Sequence, residues 1–198
     1  MIDGKVKHRT TIHTMTTELT LLCHAATHAM KAGRFPSRDD PIDAAACAHL
    51  AARFGGTQQR VVTSPARAAR ETAACFDASP AIDRAFDDLD YGLWRGRAIR
   101  DVHDDDPQGL AEWLSEPASA PHGGESLEAL AARVMAGLDR YTHGGPYVIV
   151  THAILVKVAL ARVLNAPLAS VYAMDFEPLS SLVLTRGETI WRLRVNAG

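Results

Sequence analysis

Several features that define familiar protein classes are missing from this sequence of 198 residues. Its three cysteines, Cys23, Cys47 and Cys75, are widely spaced and form no Cys-x-x-Cys pair, which excludes a dense disulfide framework and favours reduced thiols in a cytoplasmic protein. No apolar run approaches the ~20 residues that cross a bilayer. The first residues lack the apolar centre of a secretory signal, so we expect neither a membrane anchor nor export.

The chain also lacks a charge bias, with 21 Lys and Arg against 23 Asp and Glu and a net charge of −2. Because the basic residues are scattered, we expect no nucleic acid or anionic membrane as partner. The sequence contains no G-x-x-x-x-G-K-[ST] phosphate loop, no G-x-S-x-G elbow and no H-E-x-x-H motif. We expect residues 1–15 to be a disordered extension and 16–198 to be a single domain with its own core.

Hydrophobic patterning predicts alternating strands and helices from residue 18 onward. Strands are predicted at 18–23, 60–64, 147–151, 171–176 and 181–185, and helices at about 42–54, 65–75, after 124 and from 154. This order predicts a three-layer α/β/α sandwich with a mostly parallel central sheet. The segment 81–121 is predicted to form loops and short helices outside the sheet.

Two histidines follow the two clearest strands. His24 comes directly after LTLLC, and His152 comes directly after YVIVT. Ligands of parallel sheets bind at the carboxyl ends of strands, so the two histidines are expected to share a site there.

Five short motifs, in this order, resemble the histidine phosphatase superfamily, which has the phosphoglycerate-mutase-like fold. They are CHA at 23–25, SPARAARET at 64–72, DDLDYGLWRG at 87–96, GGES at 123–126 and VIVTHA at 148–153. The resemblance covers the chain from Leu19 to its end, with a variable insertion at about 73–122.

The resemblance implies phosphomonoester hydrolysis through a phosphohistidine, without a cofactor or a metal. His24 would be the nucleophile, Asp88 the proton donor and His152 a donor of hydrogen bonds to the phosphoryl oxygens. The family commonly has Glu at the donor position, and Asp is one methylene shorter. Asp87 or Asp90 could therefore act as the proton donor in place of Asp88.

This chain departs from the family at both arginines that grip the phosphate. Cys23 stands where Arg precedes the nucleophile, and Ala68 stands where a second Arg is expected, four residues before Thr72. Because one placed arginine can contribute ~10³ to 10⁵ in rate, reduced or altered activity is expected. Candidates to compensate, or to line the phosphate site, are Cys23, Thr27, His28, Arg34, Arg38, Arg67, Ala153 and the backbone amides after His24. A cysteine nucleophile at Cys23 is not expected because no arginine stands six residues later.

The substrate stays open, since in this family the insertion determines it. Trp94, Trp113 and several arginines in the insertion would suit a small organic phosphate ester, such as a sugar phosphate or ribazole phosphate. Since the family includes dimers, a homodimer is an open alternative to a monomer.

A different class of function competes with hydrolysis. Without arginines, a pocket holding His24, His28 and His152, with His122 and Cys23 nearby, contains residue types that bind Zn²⁺, Ni²⁺ or Co²⁺. The alternative is therefore a degenerate family member that binds a metal or a small ligand without catalysis.

Overall fold

The computed structural model describes residues 17–43, 45, 47–56, 58–187 and 189–195. The expected disordered extension at 1–15 lies outside these residues. The strands are β1 (Thr17–Cys23), β2 (Arg60–Thr63), β3 (Ala81–Ile82), β4 (Tyr147–Thr151), β5 (Ser181–Arg186) and β6 (Trp191–Arg194). The α-helices are α1 (His28–Lys31), α2 (Cys47–Phe54), α3 (Arg67–Ala74), α4 (Ile99–Asp105), α5 (Pro107–Ser115), α6 (Leu127–Leu138) and α7 (Ala153–Val163).

The strands form one six-stranded sheet in the order β3-β2-β4-β1-β5-β6. The first four are parallel, and β5 and β6 are antiparallel. The central strand β4 is buried at every residue, as its unbroken apolar run YVIVT predicts for a strand covered on both faces. The mostly parallel sheet expected from the sequence is confirmed, with a mixed edge.

Helices cover both faces of the sheet, which makes the three layers. One core includes Leu22, Val148 and Val150, and residues of α2 and α3 pack against it. The other includes Leu21 and Ile149 and packs against α6 and α7. The alternation follows from the period of two along a strand, which points neighbouring side chains to opposite faces.

Some predictions differ from the structure. The predicted strand at 171–176 is wrong, because Leu168–Ala173 forms a 3₁₀ helix, and β6 was not predicted. The segment from residue 81, expected to lie outside the sheet, begins with β3, which pairs with β2 as an edge strand. The helix expected to begin at residue 42 begins at Cys47, and Ile42 instead forms a β-bridge with Thr27.

The cysteine expectation is also wrong in part. Cys23 is a free, buried thiol, but Cys75 is disulfide-bonded rather than reduced. Among the described residues, no helix is both long enough and apolar enough to span a bilayer.

Candidate active site

Strand register brings the two histidines together. In the parallel pairing of β1 with β4, Cys23 lies opposite Thr151, so His24 and His152 leave the sheet side by side. Their ring centroids are 4.9 Å apart, in an edge-on arrangement. The expected shared site at the carboxyl edge of the sheet is therefore present.

His24 is held as a neutral imidazole with one nitrogen free. Its backbone N–H donates to the carbonyl of Thr151 at 2.9 Å, and its Nδ1 lies 2.8 Å from the carbonyl oxygen of Ala25. A carbonyl only accepts, so Nδ1 carries the proton and Nε2 carries the lone pair. Burial, and then the neighbouring His152, lower the pKa of His24 from 6.5 to about 4. At neutral pH the ring therefore has an unprotonated nitrogen suited to nucleophilic attack.

The loop after His24 is fixed by α3. The N–H of Ala25 donates to Oγ1 of Thr72 at 3.0 Å, and that hydroxyl donates to the carbonyl of Ala68 at 2.7 Å. The threonine that ends the SPARAARET motif thus orients the backbone beside the nucleophile candidate.

His152 precedes α7 and is also buried and neutral. Its Nε2 lies 2.9 Å from Oγ of Ser64, which follows β2 at the same edge of the sheet. Its Nδ1 lies 3.3 Å from Oδ2 of Asp88 without forming a well-aligned hydrogen bond. Burial lowers the pKa of His152 to about 4. This ring can exchange hydrogen bonds with a bound group but carries no charge at neutral pH.

Asp88 has a carboxyl whose pKa is shifted toward that of a general acid. Burial is the main reason that its pKa is raised from 3.8 to about 7; the carboxylate of Asp87 acts in the same direction, and His24 and the N–H of Leu89 oppose it. Of the three acidic candidates, Asp87 is paired with Arg38 at 2.7 Å and Asp90 is paired with Arg95. Asp88 alone of the three contacts His152.

These groups line a cavity of about 100 Å³. Its polar lining also includes Thr27, Ser37, Asp40 and Tyr91, and Ala68 contributes a methyl group. None of the described residues that line it is an arginine or a lysine. The cavity therefore combines two neutral histidines with carboxyl groups, and offers no side-chain cation to a phosphate.

A larger groove, of about 740 Å³, opens on the other side of Asp88. Arg38, Arg84 and Arg133 line it, together with Asp87, Asp90, Glu125 and Asp88 itself. Asp88 thus lies between a small cavity without arginine and a groove with three. The groove's cations are balanced by nearby carboxylates, so it is not a strongly basic surface.

The GGES motif places Glu125 against the acidic segment. The N–H of Glu125 donates to the carbonyl of Asp90 at 2.8 Å. A Cβ on Gly124 would lie 1.9 Å from that same carbonyl oxygen, so only glycine allows the two backbones to approach this closely. This contact explains the glycine at position 124.

The basic residues expected to replace the missing arginines lie elsewhere. Arg34 is exposed and donates to the carbonyl of Gly96 at 3.1 Å, and Arg67 pairs with Glu71 one helical turn on, at 2.6 Å. His28 is exposed at the start of α1. These three side chains therefore do not line the cavity that holds His24 and His152, because local partners and helix geometry direct them to the surface.

Cys23 does not line the cavity either, although it precedes His24. As the last residue of β1 it points to the sheet face opposite Leu22, where it is fully buried and lies close to the backbone of Ala153. Burial raises the pKa of its thiol to about 12, so the thiol is uncharged at neutral pH. Thr27 and Ala153, the other two candidates, do line the cavity.

The metal site considered for this pocket finds no support. His122 lies in a buried aromatic cluster, with its ring centroid 5.0 Å from that of Trp94 and away from the cavity. Over the parts of the chain that the structure describes, no group of three or more His, Cys, Asp or Glu side chains is arranged to hold a metal ion. Trp94 and Trp113 belong to the same cluster, so they form core rather than the substrate contacts that the sequence suggested.

Three residues of the site were not anticipated from the sequence: Ser64, which contacts His152, and Tyr91 and Asp40, which line the cavity. Ser64 and Tyr91 belong to recognised motifs, and their positions next to Pro65 and Gly92 are the signal that could have identified them. Asp40 lies in an irregular loop where no pattern marks it. Its carboxylate accepts from the backbone of Ser37 at 2.7 Å and lines the cavity.

Comparison with known proteins agrees with this geometry. The family model of the histidine phosphatase superfamily (branch 1) matches residues 19–197. The chain therefore belongs to this superfamily, as its motifs indicated.

Individual relatives differ in name and extent. "Bifunctional protein Rv2228c" of Mycobacterium tuberculosis is 31% identical over 180 residues, which cover 84% of this chain and 49% of that protein. The chain thus spans about half the length of this relative. "Adenosylcobalamin/alpha-ribazole phosphatase" of Salmonella typhimurium is 27% identical over 88% of this chain and 98% of its own. The solved structure of mycobacterial glucosyl-3-phosphoglycerate phosphatase Rv2419c superposes with a TM-score of 0.74 at 25% identity, covering 91% of this chain and 98% of that one.

Proposed function

We propose that this protein hydrolyses a small organic phosphomonoester, slowly, through a phosphohistidine formed on His24. The observation that carries the proposal is the convergence of His24, His152 and Asp88 on one cavity, where burial lowers the pKa of both histidines to about 4 and raises the pKa of the carboxyl to about 7. Similarity to proteins named as phosphatases supports the same reaction class.

The reaction would proceed in two balanced steps. Nε2 of His24 attacks phosphorus, forming the N–P bond as the P–O bond to the alcohol breaks and Asp88 gives its proton to the departing oxygen. Water then attacks phosphorus and loses a proton to the Asp88 carboxylate as the N–P bond breaks. Inorganic phosphate leaves, and both side chains return to their starting states.

The rate should be low because charge neutralisation is missing. Phosphoryl transfer spreads negative charge over three equatorial oxygens, and arginines usually stabilise it. In the cavity this role falls to uncharged donors, namely the hydroxyls of Thr27 and Tyr91, His152 and backbone N–H groups. We therefore expect catalysis to depend on proton transfer and on positioning of the substrate, and we expect phosphate to bind weakly.

One observation favours a second candidate function, the binding of an uncharged or cationic ligand without catalysis. The carboxylate of Asp40 lines the same cavity, and no ion pair of Asp40 occurs among the described residues. A carboxylate facing a phosphate dianion is unfavourable, whereas an amine or a neutral polar group would be tolerated.

The deciding experiment compares the wild type with His24→Ala on a panel of small phosphomonoesters, including ribazole phosphate and a sugar phosphate, from pH 5 to 7.5. His28→Ala is the matched control, because His28 lies only four residues away but is exposed outside the cavity. Each reaction is run with a chelator and with added divalent metal.

Turnover that survives the chelator, is kept by His28→Ala and is lost in His24→Ala supports hydrolysis through His24. The same turnover in His24→Ala and wild type would refute it. Without turnover, stabilisation by small amines but not by vanadate would favour the binding function. A homodimer and a cytoplasmic location stay predictions, to be checked by light scattering and by fractionation.

A further inference from the structure

The side chain of Arg133, midway along α6, makes an unusually complete set of hydrogen bonds. Its Nε and Nη2 donate to the two carboxylate oxygens of Glu125 at 2.8 and 2.7 Å, a bidentate pair. Both side chains are largely shielded from solvent, 26% and 17% exposed. Glu125 thereby fixes the plane of the guanidinium group.

The remaining donors reach the backbone of the segment that carries the acid candidate. Nη1 lies 2.9 Å from the carbonyl oxygen of Ala85 and 3.0 Å from that of Asp87, with that of Arg84 at 3.3 Å. Nη2 lies 3.2 Å from the carbonyl oxygen of Asp88. A guanidinium has five N–H groups, and here all of them have acceptors.

The segment 84–88 needs such partners because it has no regular structure of its own. A 3₁₀ turn, Arg84–Phe86, gives way to extended backbone at Asp87, outside the sheet ladder. A further hydrogen bond to a backbone carbonyl of this segment comes from Thr151 at the end of β4, whose hydroxyl donates to the carbonyl of Phe86 at 2.9 Å. Carbonyls buried without donors would destabilise this conformation.

We propose that Arg133, held by Glu125, is the positioning residue that keeps Asp88 in the cavity with His24 and His152. This inference rests on the proposed function for its catalytic meaning, but the positioning itself is measurable without turnover. Although Arg133 lines the groove, its donors are saturated, so it is not a substrate-binding arginine. Its guanidinium acts on the reaction through the Asp88 backbone.

Loss of the positive charge of Arg133 and loss of its hold on segment 84–88 would shift the pKa of Asp88 in opposite directions. The direction of the shift therefore tests the proposal. The charged or titratable groups that act on or near Asp88 are His24, His152, Asp87, Arg133, Tyr91 and Cys23. If Arg133 acted only as a nearby cation, its loss would raise the pKa of Asp88. If it holds the segment, its loss lets the carboxyl reach solvent, and the pKa falls toward the ordinary value near 4.

The experiment is a titration of Asp88 by carboxyl ¹³C NMR, with Asp88→Asn used to assign the signal. It compares wild type, Arg133→Met, Arg133→Lys and Glu125→Gln. Arg140→Met is the matched control, because Arg140 pairs with Asp83, the residue that directly precedes the same segment, and is more exposed. Far-ultraviolet circular dichroism and melting confirm that each variant is folded.

We expect the titration midpoint of Asp88 to fall in Arg133→Met. It should also fall in Arg133→Lys, because a lysine ammonium cannot donate the same set of hydrogen bonds as a guanidinium group. Glu125→Gln should shift it in the same direction by less, and Arg140→Met should leave it unchanged. If Arg133→Met does not fold, Arg133→Lys and Glu125→Gln decide the matter. An unchanged or raised midpoint in the folded variants, or full rescue by lysine, would overturn the proposal.

Activity separates this outcome from the proposed function. If the wild type hydrolyses esters, the alkaline limb of kcat/KM should move with the Asp88 midpoint in these variants, with kcat falling more than KM changes. If it does not, a lowered midpoint still establishes the positioning role while the hydrolase proposal fails.

Discussion

Asp88 lines both the small cavity beside His24 and the larger groove, but the two differ in their charged side chains. The cavity's described lining has no arginine, and its imidazoles are neutral. The groove has three arginines, of which Arg38 is paired with Asp87 and Arg133 with Glu125. Positive charge in the groove is thus paired around the segment that carries Asp88 and does not reach the small cavity. The difference teaches that, under the proposed function, the nucleophile and the acid can share a cavity that has no side-chain cation for a phosphate.

The largest effect should come from the nucleophile candidate. His24→Ala should lower ester hydrolysis to the background rate, because His24 lines the cavity and its Nε2 is the nucleophile of the proposed reaction. Single-turnover assays with a fluorogenic phosphate ester measure the loss, and acid-labile phosphate on the wild-type protein is expected alongside it. An unaffected rate in His24→Ala would mean that hydrolysis takes place outside the cavity, with the groove as the next candidate site.

Removing the acid should give the next largest loss and change the pH profile. With the pKa of His24 at about 4 and that of Asp88 at about 7, kcat/KM should be highest between these values. It should fall below pH 4 as His24 is protonated, and above pH 7 as Asp88 loses its proton. Asp88→Asn should cost ~10² to 10⁴ in rate and remove the alkaline limb. An alkaline limb that persists in Asp88→Asn would assign the acid to another group.

Adding a cation to the cavity should raise kcat/KM, whereas the preceding substitutions lower it. Ala68 lines the cavity from α3, so Ala68→Arg would place a guanidinium where the family has one. We expect kcat/KM to rise by at least ~10-fold, less than the full value of an arginine in a site built around it. Ala68→Met, of similar length and uncharged, is the control for filling the cavity. Equal effects of the two substitutions would show that charge is not what the cavity lacks.

A smaller effect concerns stability. The folded pKa of Asp88 lies above the unfolded value of ~3.9, so the folded state holds a proton that the unfolded state has released. Folding is therefore disfavoured increasingly as pH rises from 4 to 7. Asp88→Asn removes this effect, so its melting temperature relative to wild type should be higher at pH 8 than at pH 5. The pKa values of His24 and His152 are lowered rather than raised, but both histidines are present in wild type and in Asp88→Asn. Their contribution to the difference in melting temperature therefore cancels.

The smallest effects are expected at the surface arginines that the sequence favoured. Arg34→Ala and Arg67→Ala should each change kcat/KM by less than ~2-fold and melting only slightly, because exposed ion pairs contribute little. Steady-state kinetics on both variants tests this. A large loss in either would mean that the arginine contacts bound substrate, which would contradict its placement at the surface.

Much of this site could be predicted from the chain alone. The runs before His24 and His152 are apolar enough to be buried strands, and strand ends of a parallel sheet meet at one edge, so a shared site followed directly. Motif order was enough to predict the superfamily, which the family model confirms, and it places Cys23 and Ala68 where the resemblance leads us to expect arginines. These features are local or depend only on strand order.

Other features were decided only by the tertiary structure. Whether a basic side chain reaches the cavity depends on the partners it meets, and Arg34 and Arg67 met a carbonyl and a glutamate at the surface instead. Asp40 enters the cavity from an irregular loop, and the link from Arg133 to Asp88 joins residues far apart in sequence. The sequence by itself determined which residues end the strands and therefore meet. The folded backbone decided where the charges go, because a long side chain is directed by the nearest available partner rather than by its place in the sequence.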